Sequence, residues 1–334
     1  MPALHATTDR AATAHMKTPA MHDTDTPPAH TDHPRLAGLV AQARRRAQAR
    51  GLARIGLVYP CDPLALDAAA QVATAGIAQV VLVGPRERIE SIASQCGIDW
   101  RRFEIVDTAN EPADAAAQAV TLARKGAFQC LMKGSLHTDE LMSAVVRRDG
   151  GLRTGRRISH AFVFDLPRYP KLLALADCVV NIAPDLATKC DILGNAVELL
   201  HKLDIAEPRV GIVAAVETVN PAIPATLDAQ ALVELAAQGR WPGAIVEGPF
   251  GFDNAISAEA ARTKKIAGRV PGQADLLIVP DLNAGNMLYK SFNYIGGGDC
   301  AGLVLGAQVP IVLTSRADSL ASRVASVALA VLAQ

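Results

Sequence analysis

Four short segments of this chain carry side chains suited to holding phosphate or a developing negative charge. In Met132-Lys133-Gly134-Ser135-Leu136-His137-Thr138 a cation, a glycine and hydroxyls stand just before Asp139 and Glu140, the acidic opening of a helix. Backbone N–H groups of such a turn, with Lys133, Ser135 and Thr138, suit a phosphate. A lysine beside a helix cap is the plain alternative. Gly151-Leu152-Arg153-Thr154-Gly155-Arg156-Arg157-Ile158-Ser159-His160 is a glycine-flanked loop with three arginines running into an apolar stretch. The guanidinium forks of Arg153 and Arg156, with Ser159 beside them, suit an acidic phosphorylated ligand. His160 is either a satisfied core histidine or an acid–base group.

Pro280-Asp281-Leu282-Asn283-Ala284-Gly285-Asn286 crowds a carboxylate and two amides into what reads as a loop. Asp281, Asn283 and Asn286 can hydrogen-bond a ligand's amide or hydroxyl groups, or one another in a self-bonded turn. Thr314-Ser315-Arg316-Ala317-Asp318-Ser319 precedes the last helical pattern. There Ser315, Arg316 and Asp318 arrive at a helix amino terminus, which favours negative charge. Capping by Ser315 or Asp318 would explain one residue of that set. It leaves Arg316 unexplained, because a cation at that end opposes the helix dipole.

These segments need strands and helices to position them. Apolar runs at residues 55–59, 79–84, 128–134, 158–164, 178–183, 210–216, 244–247, 276–279 and 309–313 read as buried strands. Helices fall between them, at about residues 64–75 and 138–148 and, on stripes of Ile192, Ala196, Leu199, Leu203 and of Leu320, Val324, Val327, Val331, before residue 210 and at the end of the chain. Strand–helix alternation predicts a mainly parallel α/β architecture, whose ligands lie at the carboxyl ends of strands. Neither a dinucleotide fingerprint nor a phosphate-binding loop ending in Lys-Ser/Thr is found.

Lys+Arg and Asp+Glu both number 33, so no net field attracts nucleic acid or an anionic membrane. No apolar run nears the roughly 20 residues that cross a bilayer. Aromatics at 4% disfavour a base-stacking surface, and six scattered cysteines without a CxxC suggest reduced, packed thiols in cytosol. Residues 1–33 hold five of the eight histidines at irregular spacings and read as a disordered tail, with no metal site expected.

Taken in order from about residue 50, the motifs resemble the phosphate acetyl/butyryltransferase family. The likeness is carried by Lys133-Gly134 with Thr138, Gly151-Leu152-Arg153-Thr154-Gly155, Asn181-Ile182-Ala183-Pro184-Asp185, Val219-Asn220-Pro221 with Pro224-Ala225-Thr226-Leu227-Asp228, Glu247-Gly248-Pro249 with Asp253-Asn254-Ala255, residues 280–286 and 314–318. It implies reversible exchange between acyl-CoA plus phosphate and acyl phosphate plus CoA, with coenzyme A as substrate and no cofactor or metal. The implied fold is that of the isocitrate and isopropylmalate dehydrogenase group, with two α/β domains (34–150 plus 305–334, and 151–304), the site in the cleft between them, and a homodimer formed through the second.

In the acetyl branch an Asp seven positions after the motif serine is the proposed base; here that position is Ser322, and Ser-Arg-Ala-Asp-Ser is similar to the butyryl branch. The resemblance therefore makes Ser315, Arg316 and Asp318 the expected catalytic set, with His160 as a further candidate and a tilt towards longer or branched acyl groups. A transferase drawing on acyl carrier protein, and a silent sensor of CoA esters, are the rival readings.

Overall fold

In the computed structural model, residues 33–313 and 318–334 are described. The expected tail, apart from His33, and the candidates Ser315 and Arg316 lie outside them.

The chain opens with α1 (Pro34–Arg50), whose proline occupies the first turn, where the missing N–H is not needed. Strands and helices then alternate as β1 (Ala53–Val58), α2 (Pro63–Ala75), β2 (Ala78–Gly84), α3 (Arg86–Gln95), β3 (Glu104–Asp107), α4 (Pro112–Arg124), β4 (Cys130–Lys133) and α5 (Thr138–Val146). Next come β5 (Ser159–Asp165), β6 (Leu173–Ala176), α6 (Leu186–Lys202), β7 (Arg209–Val213), α7 (Pro224–Ala237), β8 (Ile245–Phe250), α8 (Phe252–Ile256) and α9 (Ala258–Thr263). The last elements are β9 (Leu276–Ile278), α10 (Leu282–Tyr294), β10 (Asp299–Leu305), β11 (Ile311–Val312) and α11 (Leu320–Leu332).

All the strands join one sheet, in the order β3-β2-β1-β4-β11-β10-β5-β6-β9-β7-β8. Most pairs are parallel, as the alternation predicts, but β10 is antiparallel to both β11 and β5, and β5 is antiparallel to β6. Those reversals turn the sheet's halves against each other. The carboxyl ends of β1, β4 and β11 open at one end of the sheet, and those of β6, β7, β8 and β9 at the other. Apolar side chains of β1, β2, β4 and α11 build one core, while Phe162, Phe164, Tyr169 and Phe292 anchor a second cluster under α10.

Two expected elements differ. Residues 178–183 form a turn, and the strand lies upstream as β6, because the Asp177 carboxylate accepts from Val179 N (2.9 Å), Val180 N (3.0 Å) and Asn181 Nδ2 (2.6 Å) and so takes amides a ladder would need. Residues 280–286 are not a loop but the start of α10, nucleated where the Asp281 carboxylate accepts from Ala284 N at 2.9 Å. β10 was not expected from the sequence; Gly296-Gly297-Gly298 hides its start.

Candidate active site

At the carboxyl ends of β1 and β4 two turns are bonded to each other. Tyr59, with φ of 53°, sends its N–H to Val83 O at 2.7 Å. Gly134 donates to Val58 O at 2.9 Å, and a Cβ on it would lie 2.5 Å from that same oxygen, so only glycine allows this approach. The Ser135 hydroxyl donates to Tyr59 O (2.7 Å) and accepts from Cys61 N (3.0 Å). Ser135 thus joins the two turns. Lys133 is 8% exposed, and its Nζ donates to Gly134 O (3.2 Å) and Leu136 O (3.1 Å), curling over the turn. Thr138 is exposed at the first position of α5, with the Glu140 carboxylate accepting from His137 N at 2.6 Å.

Beside these turns stands the head of α11. Its cap is Ser319, whose hydroxyl accepts from Ser322 N and donates to Asp299 Oδ2, both at 2.9 Å. Capping therefore does not account for Asp318. Ser322, at the position of the acetyl-branch Asp, is buried and donates to Cys300 O, so its side chain points into the sheet.

Two neighbours were not singled out from sequence. Arg323, 4% exposed, sends Nε towards Asp318 O at 3.5 Å. Tyr289 of α10 stacks on Phe162 with ring centroids 4.3 Å apart and planes 2° from parallel. Burial first, then the Asp318 charge, pushes its phenol well above the ordinary tyrosine range. Arg323 was legible as the sole charged residue of the apolar α11 sequence; Tyr289 gave no comparable signal.

The remaining candidates lie elsewhere. Ser159 pairs with Leu305, Val304 with Ile311, and Ile311 with Leu131, which sets the Arg153 to Arg157 loop at the amino end of β4. Lys133 ends that strand on the other side, roughly 10 Å or more away at about 3.3 Å per residue. Lys133 and the Arg153 to Arg157 loop, both expected to hold phosphate groups, thus stand at opposite ends of β4. Arg156 pairs instead with Glu198, and Thr154 Oγ1 donates to Gly306 O at 2.6 Å. A cavity of about 890 Å³ opens there, with Arg124, Arg156 and Lys202 in its wall. Arg124 and Lys202 sit in the last turns of α4 and α6, where cations complement the helix dipole.

Ser159 is buried, and its Oγ accepts from Asn195 Nδ2 at 2.9 Å. His160 is fully buried against Phe162, with ring centroids 4.3 Å apart, and neither ring nitrogen has a partner among the described residues. Burial, against a weaker pull from Asp177, holds its pKa down at about 4, which keeps it neutral. At the carboxyl end of β9, Asp281 caps α10, Asn283 is exposed, and Asn286 Nδ2 donates to Cys178 O at 3.3 Å. From there α10 runs back along the sheet and brings Tyr289 to Phe162.

The family model described as phosphate acetyl/butaryl transferase matches residues 110–331. The chain belongs to that family. It is 49% identical over 294 residues to a phosphate acetyltransferase of Rhizobium meliloti, covering 88% of this chain and 92% of that protein. It is 37% identical over 287 residues to a phosphate butyryltransferase of Clostridium acetobutylicum, covering 86% and 95%. Among solved structures, a branched-chain phosphotransacylase from Enterococcus faecalis V583 superposes with a TM-score of 0.75 at 29% identity, over 84% of this chain and 99% of that one. Other segments that carry the family likeness make structural contacts. In this phosphate acetyl/butaryl transferase family member Asp185 caps α6, Thr226 bonds Asn220 N at 2.9 Å, and buried Lys189 meets Asp228 at 2.6 Å, tying α6 to α7.

Proposed function

We propose that the chain transfers a short acyl group between coenzyme A and inorganic phosphate at the carboxyl ends of β1, β4 and β11. The observation that carries this reading is the convergence of the Lys133-Gly134 turn and Asp318 at one end of the sheet in a chain of this family. A phosphate oxygen attacks the thioester carbonyl carbon, the oxygen of that carbonyl takes up negative charge, and the carbon–sulfur bond then breaks to release the thiolate of CoA. Lys133 and the backbone N–H groups of its turn hold the phosphate. Ser315 and Arg316 meet the tetrahedral oxygen, where a preorganised donor is worth roughly 10²-fold to 10³-fold in rate. Asp318 takes the thiol proton when CoA attacks the acyl phosphate, and Tyr289 shapes its surroundings.

The site so placed lies in a cleft between lobes made of residues 34–150 with 305–334 and of residues 151–304. Overall identity is higher to the acetyltransferase and the residues at 315–318 match the butyryl branch, so a series of acyl chains decides preference. A homodimer fits the exposed apolar side chains Met287 and Tyr294 of α10 and Ile295 just past its end. The cytoplasm fits the unpaired cysteines, and no helix among the described residues is long and apolar enough to cross a membrane. The test is release of free thiol from acetyl-, propionyl-, butyryl- and isobutyryl-CoA with and without phosphate. Phosphate-dependent release supports the reading, and its absence with every thioester rejects it.

A further inference from the structure

Arginine is almost never buried without a partner that holds its charge. Arg323 is 4% exposed and lies in the first turn of α11, where the helix's own partial charge is positive. Neither solvent nor the helix stabilises it there. Two anions that act on it are Asp318, whose backbone oxygen faces Nε at 3.5 Å, and Asp62. Asp62 heads α2, with its carboxylate accepting from Ala65 N at 2.8 Å, and α2 packs on α11. One buried guanidinium therefore links the loop that leaves β1 with the residue that closes the Thr314 to Asp318 motif.

We propose that Arg323 is a positioning residue for Asp318, its guanidinium clamped between Asp62 and Asp318 so that the Asp318 carboxylate is held beside the ends of β1 and β4. The inference rests on the phosphate acyltransferase reading. Arg323 is buried behind Asp318 and touches no substrate. It acts through geometry, where a displacement of about 1 Å can cost 10²-fold in rate.

The test uses the full chain with Arg323→Met, Arg323→Lys, Asp62→Asn and the Arg323→Met/Asp62→Asn double variant. Melting temperature, kcat and both Michaelis constants are measured well below the melting transition. Arg323→Met should lower kcat roughly 30-fold to 100-fold, with KM for phosphate and acyl-CoA changed less than about threefold. Arg323→Lys should recover part of that loss, as should a low concentration of guanidinium ion added to Arg323→Met. Asp62→Asn keeps a helix cap, since Asn caps as well as Asp, yet it should lower kcat in the same direction. The double variant should lose little beyond Arg323→Met, because the two groups act as one unit. A folded Arg323→Met with kcat within about twofold of wild type, or losses that simply multiply in the double variant, would overturn the proposal. If Arg323→Met fails to fold, unchanged kcat in both Arg323→Lys and Asp62→Asn overturns it. An inactive wild type rejects the acyltransferase reading and this inference with it, whereas an active wild type with unaffected variants rejects the inference alone.

Discussion

Replacing Asp318 by Asn separates two jobs that a carboxylate at the head of α11 could do. The helix is capped by Ser319, so Asp318→Asn costs no cap and should lower the melting temperature only through the lost charge beside Arg323. Ser319→Ala removes the cap and the bond to Asp299, and should cost about 1 kcal/mol, or roughly 1–2 °C in a folded unit of this size. Activity should behave in the opposite way. If Asp318 takes the proton of the CoA thiol, Asp318→Asn should slow attack on acyl phosphate by roughly 10²-fold to 10⁴-fold. Free thiols titrate near pKa 8.5, so about 3% is thiolate at pH 7 and about 76% at pH 9. Raising the pH across that interval should therefore restore the variant up to roughly 25-fold, while the wild type gains far less. The assay is CoA consumption with acetyl phosphate from pH 6.5 to 9, alongside thermal unfolding. Near-normal turnover in the folded variant would refute the reasoning and make Asp318 a structural residue.

Two further outcomes follow from where the structure places the other candidates. The double change Arg153→Ala/Arg156→Ala, at the amino end of β4, should leave KM for phosphate within about twofold; steady-state kinetics check this, and a large rise would return the loop to the site. His160 has a folded pKa of about 4 against about 6.5 unfolded. The unfolded chain binds more protons between those values, so stability is full above pH 6.5 and lost as pH falls towards 4, by about 3 kcal/mol. Denaturant unfolding at pH 7 and pH 4 should show that loss in wild type and not in His160→Gln.

Much of the architecture was readable because buried parallel strands and amphipathic helices leave strong periodicities. The runs at 55–59, 79–84 and 276–279 all became strands within a residue or two. Polar turns were harder. Asp177 and Asp281 each redirect their neighbours by accepting backbone N–H groups, and that choice between turn, helix and strand is not visible in hydropathy. The candidate site suffered from a different limit. Lys133 and Arg153 both flank apolar strands, but only the sheet register, fixed by the antiparallel β10 and β5, reveals that they stand at opposite ends. Arg323 shows the converse, a lone charge on an apolar helix whose burial could have been suspected from α11 alone.

The most direct measurement is phosphorus-31 NMR of the purified chain with butyryl-CoA or acetyl-CoA and inorganic phosphate, with free thiol followed in parallel. Acyl transfer predicts an acyl phosphate resonance growing in step with free CoA, and both reverting to thioester when CoA is added in excess. Thiol release without any acyl phosphate would mean that water is the acceptor, and would contradict the account.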